Sequence, residues 1–121
     1  AGALSVIGDK PKNDIYYSTG GGPEGVIVAA ALSCYGGQIQ GRLVLNQEEK
    51  IRAKKLGITD FYKKYNINDM VKGDVMFCAT GVTSGDLANG VKDLGNEFEV
   101  NTFALHKSEN IIKSVKNIYN K

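Results

Sequence analysis

Residues 19–32 read TGGGPEGVIVAAAL. Three successive glycines are costly to order, because glycine loses more backbone freedom on folding than any other residue. A proline, a glutamate and an apolar run follow at once. Pro23 suits the first turn of a helix, where its missing N–H costs nothing. Val26 to Leu32 is apolar all round, which predicts a buried helix. Gly36-Gly37 predicts its end. The short run Asp14–Ser18, with Ile15, Tyr16 and Tyr17, is β-prone and reads as a strand. The order is therefore strand, glycine loop, helix.

The same alternation continues outward. Residues 1–7 read as the tail of a short helix, and residues 8–13 as a turn-rich connection. Gln38 to Leu45 reads as a second strand. Gln47 to Leu56 is a charged surface helix stopped by Gly57, and a helical turn is expected near Asp69-Met70. Asp74 to Ala79 has the apolar content of a buried strand. Thr80 to Gly85 is a second glycine loop, Asp86 to Val91 a short helix, and Phe98 to Leu105 a strand. Residues 111–119 fit both a helical spacing and a β-branched strand. Strands alternating with helices imply an α/β layered fold.

At 121 residues the chain has the size of one domain. A formal net charge of +2 offers no strong field for nucleic acid or an anionic membrane. No apolar run is long enough to cross a bilayer, and no signal peptide is visible. Cys34 and Cys78 lie far apart in apolar runs and read as reduced core residues of a cytoplasmic protein.

A glycine loop opening a helix is a place for an anion. The first helical N–H groups are unpaired and carry partial positive charge, and glycine lets a ligand oxygen come close. No Gly-Lys-Ser/Thr follows, so it is not a Walker loop. The spacing is not that of the dinucleotide fingerprint. Glu24 sits in the first turn, where the helix dipole favours negative charge. Beside a phosphate, a carboxylate repels unless a divalent cation lies between them, and a carboxylate oxygen is a suitable ligand for one. Structural capping and metal ligation both remain open on this motif alone.

The loop Thr80–Asp86 repeats the logic, with capping by Ser84 or Thr83 as the simpler reading. Two such loops at strand ends can face one crevice, the place where α/β sheets bind ligands. His106 is the only histidine and reads as a surface residue. Arg42 between apolar neighbours implies a buried partner or an interface. Tyr16 and Tyr17 read as packing residues.

Taken in order, AGAL, TGGGPEG, QGRL, KKLGI and DMVKGDVMFCATGVTSGDL resemble the C-terminal half of class II fructose-1,6-bisphosphatases, some of which also hydrolyse sedoheptulose-1,7-bisphosphate. The match runs from residue 1 to about residue 92 and thins beyond residue 95. The family usually shows an Arg-x-Lys-Ser segment where this chain has His106-Lys107-Ser108. It also has alanine where Gly22 stands and aspartate where Ser84 stands.

The resemblance implies the layered helix–sheet sandwich of lithium-sensitive sugar phosphatases, with only the C-terminal half in residues 1–121. In the family a Gly-Asp-Val substrate segment lies just upstream of an AGAL-like helix. The chain is therefore expected to be a piece of a longer bisphosphatase whose N-terminal half is absent. The implied activity is metal-dependent hydrolysis of the 1-phosphate of fructose-1,6-bisphosphate, in gluconeogenesis or a Calvin-type cycle, with Mn²⁺ or Mg²⁺. Glu24 matches the family's C-terminal metal-binding glutamate. Gly21 matches a glycine whose backbone contacts the sugar bisphosphate, and Gly20 and Gly22 belong to the same substrate loop. Self-association is expected where apolar faces lack their N-terminal half. The contrasting reading is a non-catalytic phosphosugar-binding or regulatory module.

Overall fold

In the computed structural model, which describes residues 2–8 and 10–121, the chain is mixed α/β with antiparallel sheets. A 3-10 turn (Gly2–Val6) precedes an exposed run, 10–21, that forms no strand and ends at helix α1 (Gly22–Cys34). Then come β1 (Gln40–Arg42), α2 (Gln47–Lys55), β2 (Lys64–Asn66), α3 (Ile67–Met70) and β3 (Met76–Thr80). Strands β4 (Lys92–Asp93), β5 (Glu97–His106) and β6 (Ile111–Asn120) complete the chain.

Helix α1 is the centre of packing. Ala29 and Leu32 meet Ile67 of α3, with Leu4 and Ile7 beside them. Ala31 and Cys34 meet Leu105 of β5, with Phe77 and Phe103 alongside. The helix ends at Gly36, whose φ of +69° needs a residue without a Cβ, and Gly37 N–H donates to the Leu32 carbonyl at 2.9 Å. The expected burial all round holds only for the C-terminal part. Val26 and Ile27 in the first turns stay 46% and 56% exposed.

The main sheet is built on β5. One edge pairs with β3 (Phe77↔Leu105) and β4 (Asp93↔Phe98), and the other pairs with β6 along its whole length (Glu97↔Asn120 to His106↔Ile111). Residues 111–119 are thus a strand: ten continuous backbone pairings outweigh a helical spacing that has no other element to face. Strands β1 and β2 form a separate two-stranded sheet. Helix α2 carries a full capping box, with Asn46 accepting from Glu49 N–H at 2.9 Å and Glu49 accepting from Asn46 N–H at 2.8 Å. Its predicted solvated face is confirmed, with only Ala53 buried.

Several expectations are corrected. Residues 14–18 form no strand, because β-propensity without a neighbouring edge cannot make one; Tyr17 is 92% exposed. Residues 86–91 form no helix. Strand β3 is covered on one face only: Phe77 turns toward α1, while Met76 and Cys78 face solvent, as an antiparallel sheet allows. Cys34 alone of the two free thiols is buried, and burial pushes its pKa up. Arg42 is exposed and has no ion-pair partner among the described residues.

The segment after β3 closes on itself instead. Gly81 N–H donates to Asn101 O at 3.0 Å, Val91 N–H to Val82 O at 3.2 Å, and Gly90 N–H to the Ser84 hydroxyl at 2.9 Å. A Cβ on Gly81 would overlap the Asn89 carbonyl, and one on Gly90 would lie 2.7 Å from Ser84 N. These glycines serve backbone-to-backbone approach within the loop. Gly81→Ala is expected to cost roughly 1–3 kcal/mol, since a backbone carbonyl cannot step aside as a side chain can. Urea denaturation checks it, with Gly85→Ala, where the added methyl meets open space, as the control.

Strand β3 is entered through a polar clasp. Asp74 accepts from Ser108 Oγ at 2.7 Å and Ser108 N–H at 3.0 Å, and lies 2.8 Å from His106 Nε2. The Ser108 hydroxyl, then His106, hold the Asp74 carboxyl far below the usual carboxylate range. A carboxyl depressed by folding stabilises the fold above its unfolded pKa of about 3.9, and that contribution is lost as pH falls toward the folded value. The Asp74→Asn variant is therefore expected to be less stable than the parent near about pH 7, and to lose less stability on going to about pH 3. Paired denaturation curves at the two pH values measure this.

Candidate functional site

The site grows from the free end of α1. Residues 14–21 arrive exposed and unpaired. Gly21 is the N-cap, in extended conformation (φ −69°, ψ 151°), and makes no side-chain cap. The first helical hydrogen bond runs from Gly25 N–H to Gly21 O at 3.1 Å. Pro23 has no N–H to give, so the donors that precede that bond are the amides of Gly22 and Glu24. Neither has a partner among the described residues. They are the unsatisfied donors that make a helix start attract anions.

Glu24 lies over this opening. Its carboxylate folds back onto Gly21 so closely that one oxygen occupies the place a Cβ on Gly21 would take. A Cβ on Gly21 would therefore have to push aside the end of this flexible side chain, not backbone. At Gly20 and Gly22 an added Cβ meets nothing within 4 Å, so their surface is bare toward solvent.

The other candidates fall away from this end. In the loop after β3, Gly81 and the Ser84 hydroxyl are engaged in its own closure, and with no helix following there is no cap to make. A depression beside it is lined by Asp86, Asn89, Asn101, Thr102 and Ser114, with none of residues 19–25. Asp86 is held by Lys12 at 2.8 Å, which lowers its pKa. The expected crevice shared by the two loops is not formed by these residues.

His106 is more than the surface residue expected, with its side chain 21% exposed. It meets Asp74 and, at 3.2 Å, the Ser108 hydroxyl. Serine, histidine and aspartate together suggest a nucleophile relay, but the geometry is otherwise. One histidine nitrogen, Nε2, faces both partners, and the serine hydroxyl is held by the aspartate. The trio ties the β5–β6 turn to the start of β3. Sequence carried a weak trace of it in the His-Lys-Ser segment, with nothing to mark Asp74 as its partner.

Among the described residues, no group of three or more His, Cys, Asp or Glu side chains is placed to hold a metal ion. The Glu24 carboxylate offers oxygens of the kind a hard cation takes as ligands.

The family model described as bacterial fructose-1,6-bisphosphatase, glpX-encoded, matches residues 1–119. The chain belongs to the class 2 fructose-1,6-bisphosphatase family. Among curated relatives, fructose-1,6-bisphosphatase 2 class 2 of Escherichia coli K12 is 33% identical over 133 residues, covering 95% of this chain and 41% of the relative. Fructose-1,6-bisphosphatase 1 class 2 of the same strain is 31% identical over 134 residues, covering 97% and 40%. The chain thus spans about two-fifths of the length of the class 2 bisphosphatases it matches. No described helix is long and apolar enough to cross a membrane.

The geometry at Gly21 separates it from Gly22. Gly21→Ala is expected to displace the Glu24 carboxylate, a flexible side-chain end, at a stability cost within about 1 kcal/mol. The ¹³C resonance of the Glu24 carboxyl should move in Gly21→Ala and stay in place in Gly22→Ala. An unmoved resonance in both variants would show that Glu24 does not rest on Gly21.

Proposed function

We propose that this chain supplies the glycine loop and one metal-binding carboxylate of a sugar-bisphosphate phosphatase. The whole enzyme hydrolyses the 1-phosphate of fructose-1,6-bisphosphate, with sedoheptulose-1,7-bisphosphate as a second substrate. The observation that carries the reading is the end of α1: a carboxylate folded over a glycine, beside two amides without partners. Family membership supports the substrate class.

The chain's own residues have distinct tasks in this reading. The Gly22 and Glu24 N–H groups donate to phosphoryl oxygens and orient the ester. Gly20 and Gly22 keep the approach free of side chains. Glu24 holds one divalent cation, Mn²⁺ or Mg²⁺. When bound, that cation polarises the phosphoryl oxygen and lowers the pKa of a coordinated water. The remaining metal-binding acids and sugar contacts belong to an N-terminal half, consistent with the greater length of the relatives. Packing against that half would complete a layered sandwich of the lithium-sensitive sugar-phosphatase type. A cytoplasmic enzyme of gluconeogenesis or a Calvin-type cycle is the physiological setting we propose.

A second reading concerns the 121 residues by themselves: a phosphosugar-binding module without turnover. It is favoured by the single carboxylate at the glycine loop and the lack of a metal-binding group among the described residues.

In an enzyme that joins this chain to the segments its relatives carry, Glu24→Gln is expected to lower turnover about a hundredfold or more. Folding stability should change by less than about 1 kcal/mol. Near-normal turnover at saturating Mn²⁺ would remove Glu24 from the site. The 121-residue chain alone should show no Mn²⁺-dependent release of phosphate, and turnover by a strictly monomeric preparation would overturn the division of the site between two halves.

A further inference from the structure

Among the described residues, strand β6 leaves one edge of the main sheet open: it pairs with β5 for all ten of its residues and with no other described strand. Alternate residues of an edge strand turn their N–H and C=O groups outward. None of these outward groups on β6 has a partner among the described residues. Long open edges usually carry a device against pairing: a proline, a bulge, or a charge that meets its like. Strand β6 has no proline, and its register against β5 runs without a bulge. Its lysines are the remaining candidates, and their positions decide the matter.

The sequence of β6 is close to a palindrome in chemical character about Val115: Ile111-Ile112-Lys113-Ser114-Val115-Lys116-Asn117-Ile118-Tyr119. Laid antiparallel on a second copy with Val115 opposite Val115, Ile111 meets Tyr119 and Ile112 meets Ile118. Lys113 meets Asn117, Ser114 meets Lys116, and no lysine faces a lysine. Lys116 is moreover paired with Glu99 of its own chain at 3.4 Å. A shift of one residue in either direction would align apolar with polar and break the match. The four apolar residues that would meet, Ile111, Ile112, Ile118 and Tyr119, are between 43% and 54% exposed in the single chain.

The geometry points to β6 as a self-association edge. Two copies join their β6 strands antiparallel about a two-fold axis that passes between the two Val115 residues. The main sheet then runs continuously through both copies. A two-fold axis of this kind stands perpendicular to the sheet, so both α1 helices lie on the same face. The partner is a second copy of this chain, selected by the matched order of apolar and polar residues along one strand.

Cross-linking and sedimentation test this in a Cys78→Ser background, which removes the exposed thiol. In the proposed register the two Val115 Cβ atoms lie about 4.5–5.5 Å apart. Val115→Cys should therefore give a disulfide-linked or short-linker dimer in high yield. Lys113→Cys should not, since its copy lies four residues away along the strands, about 13 Å. Sedimentation should show a dimer for the parent and a monomer for Val115→Lys, which sets two like charges on the axis; circular dichroism establishes that this variant folds. Three outcomes would overturn the proposal. They are a monomeric parent at hundreds of micromolar, a dimer in which Val115→Cys does not cross-link, and equal cross-linking through residue 113. Should Val115→Lys fail to fold, the two cysteine variants decide alone.

Discussion

Ala29 and Ala31 stand within one turn of α1, and neither has any exposed surface. One faces α3 and the 3-10 turn; the other faces the main sheet at Leu105. Their small size is what allows a single helix to approach both sides at once. A larger residue at either place would have to push one neighbour away, because interiors are packed as tightly as organic crystals. The same helix also reaches the residue before β3 through the hydrogen bond from the Cys34 thiol to Val75 O.

This anchoring is lopsided, and the lopsidedness makes the site. The buried residues of α1 all lie between Ala29 and Cys34, so the C-terminal half is fixed and the N-terminal half projects. The projecting end carries the positive pole of the helix, the unpartnered amides and Glu24. A helix start buried against protein would need those amides satisfied locally. Here they remain available, and the apolar Val26 and Ile27 beside them are only half covered.

What could be read in the sequence follows from how local each signal is. Helix α1 was legible because proline, first-turn glutamate, apolar run and terminal glycine pairs all agree within sixteen residues, 22–37. The capping box of α2 and the stop at Gly57 are equally local. Residues 14–18 misled because a strand exists only where another strand accepts its hydrogen bonds, and propensity carries no information about that partner. The loop after β3 misled for the opposite reason. Its glycines mark a close approach, but sequence does not say whether a ligand or the chain itself is approaching. Residues 111–119 could not be assigned until β5 was seen to lie beside them. At the site, Glu24 and Gly21 were legible as a pair of types at a helix start. Their direct contact was not, and nor was the bond of Asp74 to Ser108 thirty-four residues away.

Strand β5 is the common member of every pairing in the main sheet, and its neighbours are unequally distant along the chain. The β5–β6 hairpin closes through residues 107–110, with Asn110 in the left-handed region (φ 50°). Such hairpins form in about 1–10 μs. Strand β3 must instead close a loop of more than twenty residues before Thr80 meets Thr102, and α1 must travel farther still to reach Leu105. Loop closure delays each of these steps. The entropic cost of closure thus rises from the hairpin to β3 to the helix. The helix start, where the glycine loop sits, belongs to the element that is brought to the sheet over the longest stretch of chain.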